Sequence, residues 1–295
     1  MKYGAQSMVG PIRGVLIKKP ADAFRNQKYL DENYLAYGYL EPPDIEKVFE
    51  EFEIFEDILK QNVPEIYYLP FDEKAGMDSI YTHDTVKITS EGAVYFPMGK
   101  KLRQGEPPAT RAFLESIGVP TLGAVKGEGR MEGGDVVWLG GRTVAIGRGY
   151  RTSYEGIRQF KEIMGDTVDE IIVVPLPHGE GPEACLHLMS IISMVDDDLA
   201  VVYSKYMPVN FREYLLGRGI ELIETDGDEY ESLGSNVLAL GNRKCLVLDG
   251  NPKVRKALEE AGAEVFAYPG RNLSYFGTGG PTCLTCPILR ESAWV

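Results

Sequence analysis

The chain has 295 residues, 44% of them apolar and 25% charged, and its formal net charge of -13 argues against nucleic-acid binding, which needs clustered Lys and Arg. No apolar run reaches the roughly 18 residues of a membrane span, and the first residues lack the apolar core of a signal peptide, so we expect no membrane association. Four cysteines are too few for a disulfide framework, and we therefore expect a cytoplasmic protein with free thiols.

The first predicted elements are a strand over 14–17, an acidic helix with an aromatic stripe over 45–59 and a strand over 66–69. Four units of one kind follow, and each combines a β-hairpin, a helix and a third strand. In chain order their elements are 85–89, 93–96, 110–117 and 121–122; 135–139, 143–147, a helix capped by Ser153 and 171–174; 188–195, 199–203, 211–216 and 222–223; and 237–240, 245–248, 252–258 and 265–268. The recurrence at a period of roughly 50 residues indicates an internal repeat.

The two ends of the chain supply a fifth unit between them. An apolar run after Cys283 predicts its first strand, and the three N-terminal elements complete it. Five ββαβ units predict a closed α/β propeller with pseudo-fivefold symmetry, in which the shared unit joins the ends of the ring. An open α/β sheet also alternates strands and helices, but the hairpin inside each unit favours the ring. We expect residues 1–295 to form this single domain.

A polar residue precedes the first strand of each unit. These residues are Asp84, Glu132, His187, Asn236 and Cys283. In a ring of like units, equivalent positions converge on the axis, so we expect these side chains to face one central cavity. Each residue alone has an ordinary structural explanation, such as a turn or a buried polar group, and only their shared register indicates a site. Gly279 and Gly280 allow other groups to approach the backbone next to the thiol.

The thiol, the imidazole and the two carboxylates suit the chemistry of a guanidinium ion. This planar cation is rich in N–H donors, and Asp84 and Glu132 can bind it through charge-assisted hydrogen bonds. Its central carbon would then lie over Cys283, and its positive charge favours the thiolate. The thiolate adds to the carbon, His187 protonates the departing amine, and water deprotonated by the same histidine releases the covalent intermediate. This chemistry needs no metal and no cofactor.

Five motifs, in order, carry a resemblance to a known superfamily. They are Thr82-His83-Asp84, Glu132-Gly133-Gly134-Asp135, Arg151-Thr152-Ser153-Tyr154-Glu155-Gly156, Leu186-His187-Leu188 and Gly279-Gly280-Pro281-Thr282-Cys283. With them the chain resembles, over nearly its whole length, the guanidine-modifying enzymes: arginine deiminases, dimethylargininases (dimethylarginine dimethylaminohydrolases) and amidinotransferases. The resemblance implies the five-bladed pentein propeller, Cys283 as nucleophile, His187 as general acid and base, and Asp84 and Glu132 as guanidinium ligands. It also implies that Arg151 binds the α-carboxylate of the substrate. The shared register, rather than the resemblance, leads us to expect Asn236 among the substrate-binding residues.

Departures from the superfamily bear on the choice of substrate. Deiminases and amidinotransferases carry an aspartate two residues after the histidine, whereas Met189 stands here, and an apolar residue suits an N-alkylated guanidine. Dimethylargininases have a second arginine that binds the substrate carboxylate, and its position corresponds to the region of Pro97 in this sequence. The candidate replacements are Arg13, Arg103 and Arg130. His83 is unusual beside Asp84 and is expected to change the charge of the pocket. We predict a dimethylargininase-like hydrolase that forms a thiouronium intermediate on arginine or N-methylated arginine and releases citrulline, or a related ureido product, with ammonia or an amine.

Three other functions stay open at this point. An amidinotransferase would pass the amidino group to an amine, although the missing aspartate argues against it. A zinc site is conceivable, because potential ligands recur at short spacings, namely Cys185, His187, Cys283 and Cys286. A propeller could also bind a protein partner without catalysis. A homo-oligomer is compatible with the sequence, and the loops 3–9 and 178–182 are candidate covers of the pocket.

Overall fold

The computed structural model describes residues 2–182 and 184–291, and in these ranges fifteen strands form five three-stranded sheets. The strands are β1 (Ile12–Ile17), β2 (Glu65–Tyr68), β3 (Val86–Thr89), β4 (Gly92–Tyr95), β5 (Thr121–Ala124), β6 (Val136–Trp138), β7 (Thr143–Arg148), β8 (Glu170–Pro175), β9 (Ile192–Asp196), β10 (Leu199–Val202), β11 (Glu221–Glu224), β12 (Leu238–Gly241), β13 (Lys244–Leu248), β14 (Glu264–Tyr268) and β15 (Cys286–Arg290). Each sheet corresponds to one unit predicted from the sequence.

Helices connect the strands within each unit, and one short helix, Gly227–Glu231, connects two units. They are α1 (Pro20–Ala23), α2 (Gln27–Asn33), α3 (Ile45–Asn62), α4 (Glu106–Ser116), α5 (Tyr154–Met164), α6 (Val209–Gly217), α7 (Gly227–Glu231) and α8 (Pro252–Glu260). Ser153 accepts a hydrogen bond from Gly156 at the start of α5, as its position before the helix predicts. Phe160 and Met164 then bury the apolar face of this helix against the sheet. Within the described ranges, no helix is long and apolar enough to cross a bilayer.

Within each sheet, one parallel strand extends a hairpin. In the sheet of β6, β7 and β8, Val136 pairs with Ile146 in the antiparallel sense, and Ile146 pairs with Val173 in parallel. A parallel neighbour requires a crossover connection, and α5 supplies it here. First strands of neighbouring units pack together, as β9 does against β12 and β15 against β3, so the first strands surround the axis of the ring.

The fifth sheet joins the two ends of the chain. β15 pairs with β1 in the antiparallel sense, placing Cys286 opposite Leu16, and β1 pairs in parallel with β2. Gly4 adds an isolated bridge to Leu289. Strands from both ends of the described chain therefore close the ring, as the split fifth unit predicts.

Short 3-10 turns shorten two of the predicted first strands. The strand expected over 188–195 begins only at Ile192, because Leu188–Ser190 forms a turn whose first N–H donates to Asp135 Oδ1 at 2.9 Å. The turn Gly133–Asp135 likewise precedes β6. These turns follow His187 and Glu132 directly and hold both residues beside the axis.

Candidate active site

The loops that enter the first strands surround a cavity of about 330 Å³. Of the five residues in the shared register, four line it: Asp84, His187, Asn236 and Cys283. Glu132, the fifth, is fully buried and contacts His187. The volume falls in the range of pockets that hold small ligands. The register of the repeats thus brings these side chains to one place.

Cys283 lies on a tightly packed turn before β15. A Cβ added at Gly280 would lie 2.5 Å from Cγ of Asn236, and one at Gly279 would collide with an aromatic ring. Both glycines are therefore required by the close approach of neighbours. Asn236 Nδ2 lies 3.4 Å from Cys283 Sγ, and Asn236 Oδ1 accepts a hydrogen bond from Thr282 Oγ1 at 2.6 Å. Asn236 thus contacts both the turn, at Thr282, and the sulfur of Cys283.

A carboxylate holds one ring nitrogen of His187, and the other ring nitrogen lies near Cys185 and Asp84. Nε2 lies 2.6 Å from Glu132 Oε2, and Nδ1 lies 4.0 Å from Asp84 Oδ1. A Cβ added at Gly134 would lie 2.5 Å from Nδ1, so the imidazole fits only because this position is glycine. Asp135 accepts the backbone N–H that follows His187 and so orients the turn that carries the ring.

The buried His187–Glu132 contact is an ion pair. Burial opposes a charge on the imidazole, but the negative charges of Cys185 and Asp84 and the hydrogen bond to Glu132 raise the pKa of His187 well above its ordinary value. Burial also opposes the carboxylate, yet the hydrogen bond and charge of His187 lower the pKa of Glu132 to about 2. The imidazolium therefore carries a proton on Nδ1, on the side of Asp84.

Asp84 is held ionised by Arg103. Arg103 Nη1 donates to Asp84 Oδ2 at 2.8 Å, and the backbone N–H of Gly134 donates to Oδ1 at 3.1 Å. Burial alone would raise the pKa of Asp84, but Arg103 and His187 hold it well below its ordinary value. The sequence suggested Arg103 only as a ligand of the substrate carboxylate, whereas its side chain is fully engaged with Asp84 and Glu106.

Two thiols line the cavity, and their electrostatics differ. Burial, followed by the charge of Asp84, raises the pKa of Cys283 to about 11. Cys185 is exposed as a residue, but its Sγ lies 3.6 Å from His187 Nδ1. Although burial of the sulfur opposes it, His187 and then Arg151 lower the pKa of Cys185 below its ordinary value. The thiol in the register of the repeats is thus the less acidic one when the cavity is empty.

Of the three remaining residues predicted to bind the substrate, two line the cavity and one does not. Met189 and His83 line the cavity. Burial and then the charge of Lys87 lower the pKa of His83 to about 3, so this imidazole is neutral and adds no charge. Arg151 is buried, and its Nη1 lies 3.1 Å from Glu132 Oε2. It is not among the described residues that line the cavity.

The lining also contains groups that the sequence did not identify. They are two carboxylates and three phenols, from Glu180, Glu231, Tyr206, Tyr230 and Tyr275. Neither glutamate forms an ion pair within the described part of the chain, and none of the lining residues described there is Lys or Arg. Their only signal in the sequence was the position of Glu180 in the loop 178–182. The charges on the described lining of the cavity therefore favour a positively charged ligand.

The site residues also bear on metal binding. Asp84, Glu132 and His187 each offer one ligand atom within 4.8 Å of the others. The carboxylates already pair with Arg103 and Arg151, so the protein itself supplies cations at this point. The zinc ligands considered from the sequence do not meet in one cavity, because Cys286 lines a separate one.

Comparison with known proteins gives a consistent family. A family model described as arginine deiminase matches residues 77–220 and 208–290. The chain is 26% identical over 234 residues to the uncharacterized protein YkgA of Bacillus subtilis (strain 168), covering 79% of this chain and 77% of that protein. It is 27% identical over 193 residues to the arginine deiminase of Mycobacterium marinum, covering 55% of this chain and 47% of that protein. The chain thus aligns with about half the length of that deiminase.

Solved structures agree on the fold. A mutant of DDAH from Pseudomonas aeruginosa, complexed with citrulline, superposes with a TM-score of 0.75 at 22% identity, covering 94% of this chain and 99% of that one. The N-terminal domain of ArgZ, an arginine dihydrolase from Cyanobacteria bound to product, gives a TM-score of 0.79 at 18% identity, covering 95% and 98%. The likeness confirms the five-bladed α/β propeller predicted from the repeats and the pentein fold implied by the resemblance.

Proposed function

Because the chain belongs to the arginine deiminase family, we propose that it hydrolyses a C–N bond of a guanidino compound through a covalent bond to Cys283. His187 is the general acid and base, and Asp84 binds the guanidinium. Glu132 acts through His187, which it keeps charged and oriented. Residues 1–295 serve as one catalytic domain in this proposal.

The first half of the reaction exchanges an amine for sulfur. In the free enzyme, burial favours the neutral thiol of Cys283. A cationic guanidinium beside Asp84 stabilises the thiolate, and the thiol proton passes to solvent as the substrate binds. The thiolate adds to the guanidinium carbon and gives a neutral tetrahedral adduct. His187 transfers its Nδ1 proton to the departing nitrogen, which leaves as ammonia or an alkylamine. The products of this half are a cationic thiouronium on Cys283 and a neutral His187.

The second half releases the product, after which the thiolate regains a proton from solvent and the enzyme returns to its starting state. Neutral His187 takes a proton from water, and the hydroxide adds to the thiouronium carbon. The adduct collapses by breaking the C–S bond, which restores the thiolate beside a protonated His187. The ureido product leaves after losing its extra proton to solvent, which makes the overall reaction guanidinium plus water to a urea plus an ammonium ion. Citrulline would be the product from arginine.

One observation carries this proposal. A thiol, a protonated imidazole and an ionised carboxylate line a single cavity in which no described side chain is Lys or Arg. The carboxylates of Asp84, Glu180 and Glu231 on the described lining outnumber the one imidazolium, of His187, so the cavity favours a cation. It also supplies the nucleophile, the proton and the charge-assisted hydrogen bonds that guanidine hydrolysis requires.

The experiment is a screen for ureido products over arginine, its N-methylated forms, agmatine and guanidino acids. Reactions quenched during turnover are digested and examined by mass spectrometry for an amidino adduct. We expect a ureido product and an adduct on the Cys283 peptide. An adduct confined to the Cys185 peptide would overturn the assignment of the nucleophile, and no product from any guanidine would overturn the proposed activity.

Amidino transfer is the alternative, and it differs only in the acceptor of the second half. The same screen, repeated with a panel of amines, separates the two reactions. Hydrolysis gives the same yield of ureido product with and without amines, whereas transfer gives a new guanidine in their presence.

A further inference from the structure

A second cavity, of about 30 Å³, lies on the other side of a wall formed by His83, Met189 and Thr282, which line both cavities. We call it the axis cavity. Its other lining residues include Lys87 of β3, Arg290 of β15 and three residues of the N-terminal stretch, Ala5, Ser7 and Met8. That stretch was considered from the sequence as a cover of the catalytic cavity, and it covers the axis cavity instead.

Within residues 2–182 and 184–291, the hydrogen-bond partners of the two cations at the axis cavity are all neutral. Lys87 Nζ lies 2.6 Å from His83 Nε2, and His83 Nδ1 lies 2.9 Å from the carbonyl oxygen of Thr285. A carbonyl only accepts, so Nδ1 carries the proton and Nε2 accepts from Lys87. Arg290 donates to two backbone carbonyls, at 2.6 and 2.9 Å. Both cations are more than nine-tenths buried, at 7% and 5% exposure.

Trp138 adds a donor that has no acceptor. This side chain lines the axis cavity and is 3% exposed. Its Nε1 is buried and has no hydrogen-bond partner in the described part of the chain. An indole N–H can only donate, and a buried donor without an acceptor is destabilising.

Among the described lining residues, no negative group balances this positive charge. The one acidic side chain there is Cys286, and burial raises the pKa of its thiol to about 12, so it is neutral. The carboxylates whose charge reaches Lys87 are Asp84 and Asp135. Their four oxygens already accept hydrogen bonds from other groups. Burying charges without a counter-charge is costly, so a compensating ion is expected.

We infer that the axis cavity binds a small inorganic anion, a halide such as chloride, between Lys87, Arg290 and Trp138. A cavity of this volume holds about one or two water-sized particles, which excludes phosphate, carboxylates and larger anions. A halide accepts several hydrogen bonds at once, so it satisfies the indole N–H while it compensates the two cations. The inference does not depend on the proposed enzymatic activity.

The direct test is crystallographic. Crystals of the full chain grown with sodium bromide in place of chloride are measured at the bromine absorption edge. We expect one anomalous peak in contact with Trp138 Nε1 and Lys87 Nζ. Density for an ordered water at that position, without anomalous signal, would overturn the inference.

A solution test uses thermal unfolding at fixed ionic strength, with chloride replaced stepwise by gluconate. Above the dissociation constant we expect Tm to rise by about 3 °C per tenfold increase in chloride, because only the folded chain binds it. The variants Trp138→Phe and Lys87→Met should lose this dependence, whereas Lys256→Met, on the exposed face of α8, should keep it. Equal chloride dependence in Trp138→Phe and the unmodified chain would contradict the inference even if Lys87→Met did not fold.

Discussion

The catalytic cavity and the axis cavity lie on either side of one wall, yet their charges are opposite. The described lining of the catalytic cavity carries three carboxylates, of Asp84, Glu180 and Glu231, against one imidazolium, of His187, and no Lys or Arg. The described lining of the axis cavity carries Lys87 and Arg290 and no carboxylate. The same ring of first strands therefore builds a site for a cation and, behind it, a site for an anion.

This difference shows that the position of a residue along a first strand determines which cavity its side chain lines. Asp84 precedes β3 and faces the catalytic cavity, whereas Lys87, three residues later and inside the strand, faces the axis cavity. β15 repeats the pattern, with Cys283 before the strand and Arg290 at its end. His83 belongs to both linings and is neutral, so it separates the two charges without adding to either.

The largest expected effect comes from removing the sulfur at the catalytic cavity. We expect Cys283→Ser to lower kcat by about 10⁴-fold or more, because a serine hydroxyl at this position is a far weaker nucleophile than a thiolate. Guanidine binding and Tm should change little. Steady-state kinetics with the best substrate of the screen measure the loss.

Cys185→Ser is the matched variant for this experiment, since its sulfur lies beside His187 in the same cavity. We expect it to keep turnover within about tenfold. A reversal, with Cys185→Ser inactive and Cys283→Ser active, would show that the more acidic thiol is the nucleophile and that the shared register is misleading.

The next largest effect is expected for the proton donor. His187→Gln keeps a polar side chain but cannot transfer a proton, so kcat should fall by about 10²- to 10⁴-fold.

Glu132→Gln should lower the pKa of His187, because it removes the carboxylate bonded to Nε2. The basic limb of the pH profile of kcat should therefore move to lower pH. An unchanged profile in Glu132→Gln would refute its role through His187.

The ring and the shared register of its polar residues could be predicted from the sequence, because the signals for them are local. Hairpin turns, the cap at Ser153 and short apolar runs each act over a few residues, and their repetition identifies the ring and the shared register of its polar residues. The glycines before Cys283 also indicated a close approach, which the structure shows at Asn236.

The remainder depends on contacts between residues that are distant in the sequence, which no local pattern encodes. Arg103 reaches Asp84 across 19 residues, and nothing in its neighbourhood distinguishes it from a surface arginine. Lys87 looks like an ordinary exposed residue of an alternating strand, and it is buried only because the ring closes around it. The charge of each cavity therefore becomes visible only once all five units are in place.

A third prediction concerns how each cavity is neutralised. Behind the lining of the catalytic cavity, the buried Arg103 compensates Asp84 and Glu106, whereas the axis cavity needs an external ion. Arg103→Met should therefore destabilise the fold by about 3–5 kcal/mol, because it leaves buried carboxylates without their cation. Denaturant unfolding measures the loss. Arg158→Met, which removes an exposed pair on α5, is the control and should leave the midpoint unchanged.

A fourth prediction contrasts the two thiols of the catalytic cavity by their pH dependence. Only the thiolate is alkylated, and at pH values below its pKa the thiolate fraction rises about tenfold per pH unit. With a pKa of about 11, Cys283 should follow this slope from pH 6 to pH 9 in the free enzyme. Cys185, whose pKa is lowered, should level off earlier. Iodoacetamide labelling with peptide mass spectrometry resolves the two. A flat rate at Cys283 would mean that its thiolate already exists in the empty cavity.

The smallest expected effect concerns the end of the substrate remote from the guanidinium. With Arg151 paired to Glu132 and no described Lys or Arg on the lining, a substrate carboxylate gains no partner, while Glu180 and Glu231 repel it. We therefore expect kcat/KM for agmatine, which has an amine and no carboxylate, to equal or exceed that for arginine by up to about tenfold, the effect of roughly one weak ionic contact. Glu231→Gln should reduce this ratio without changing kcat for arginine. If arginine is instead preferred by two orders of magnitude, and Arg151→Met removes that preference, then Arg151 leaves Glu132 to bind the carboxylate and the cavity is not purely a cation site.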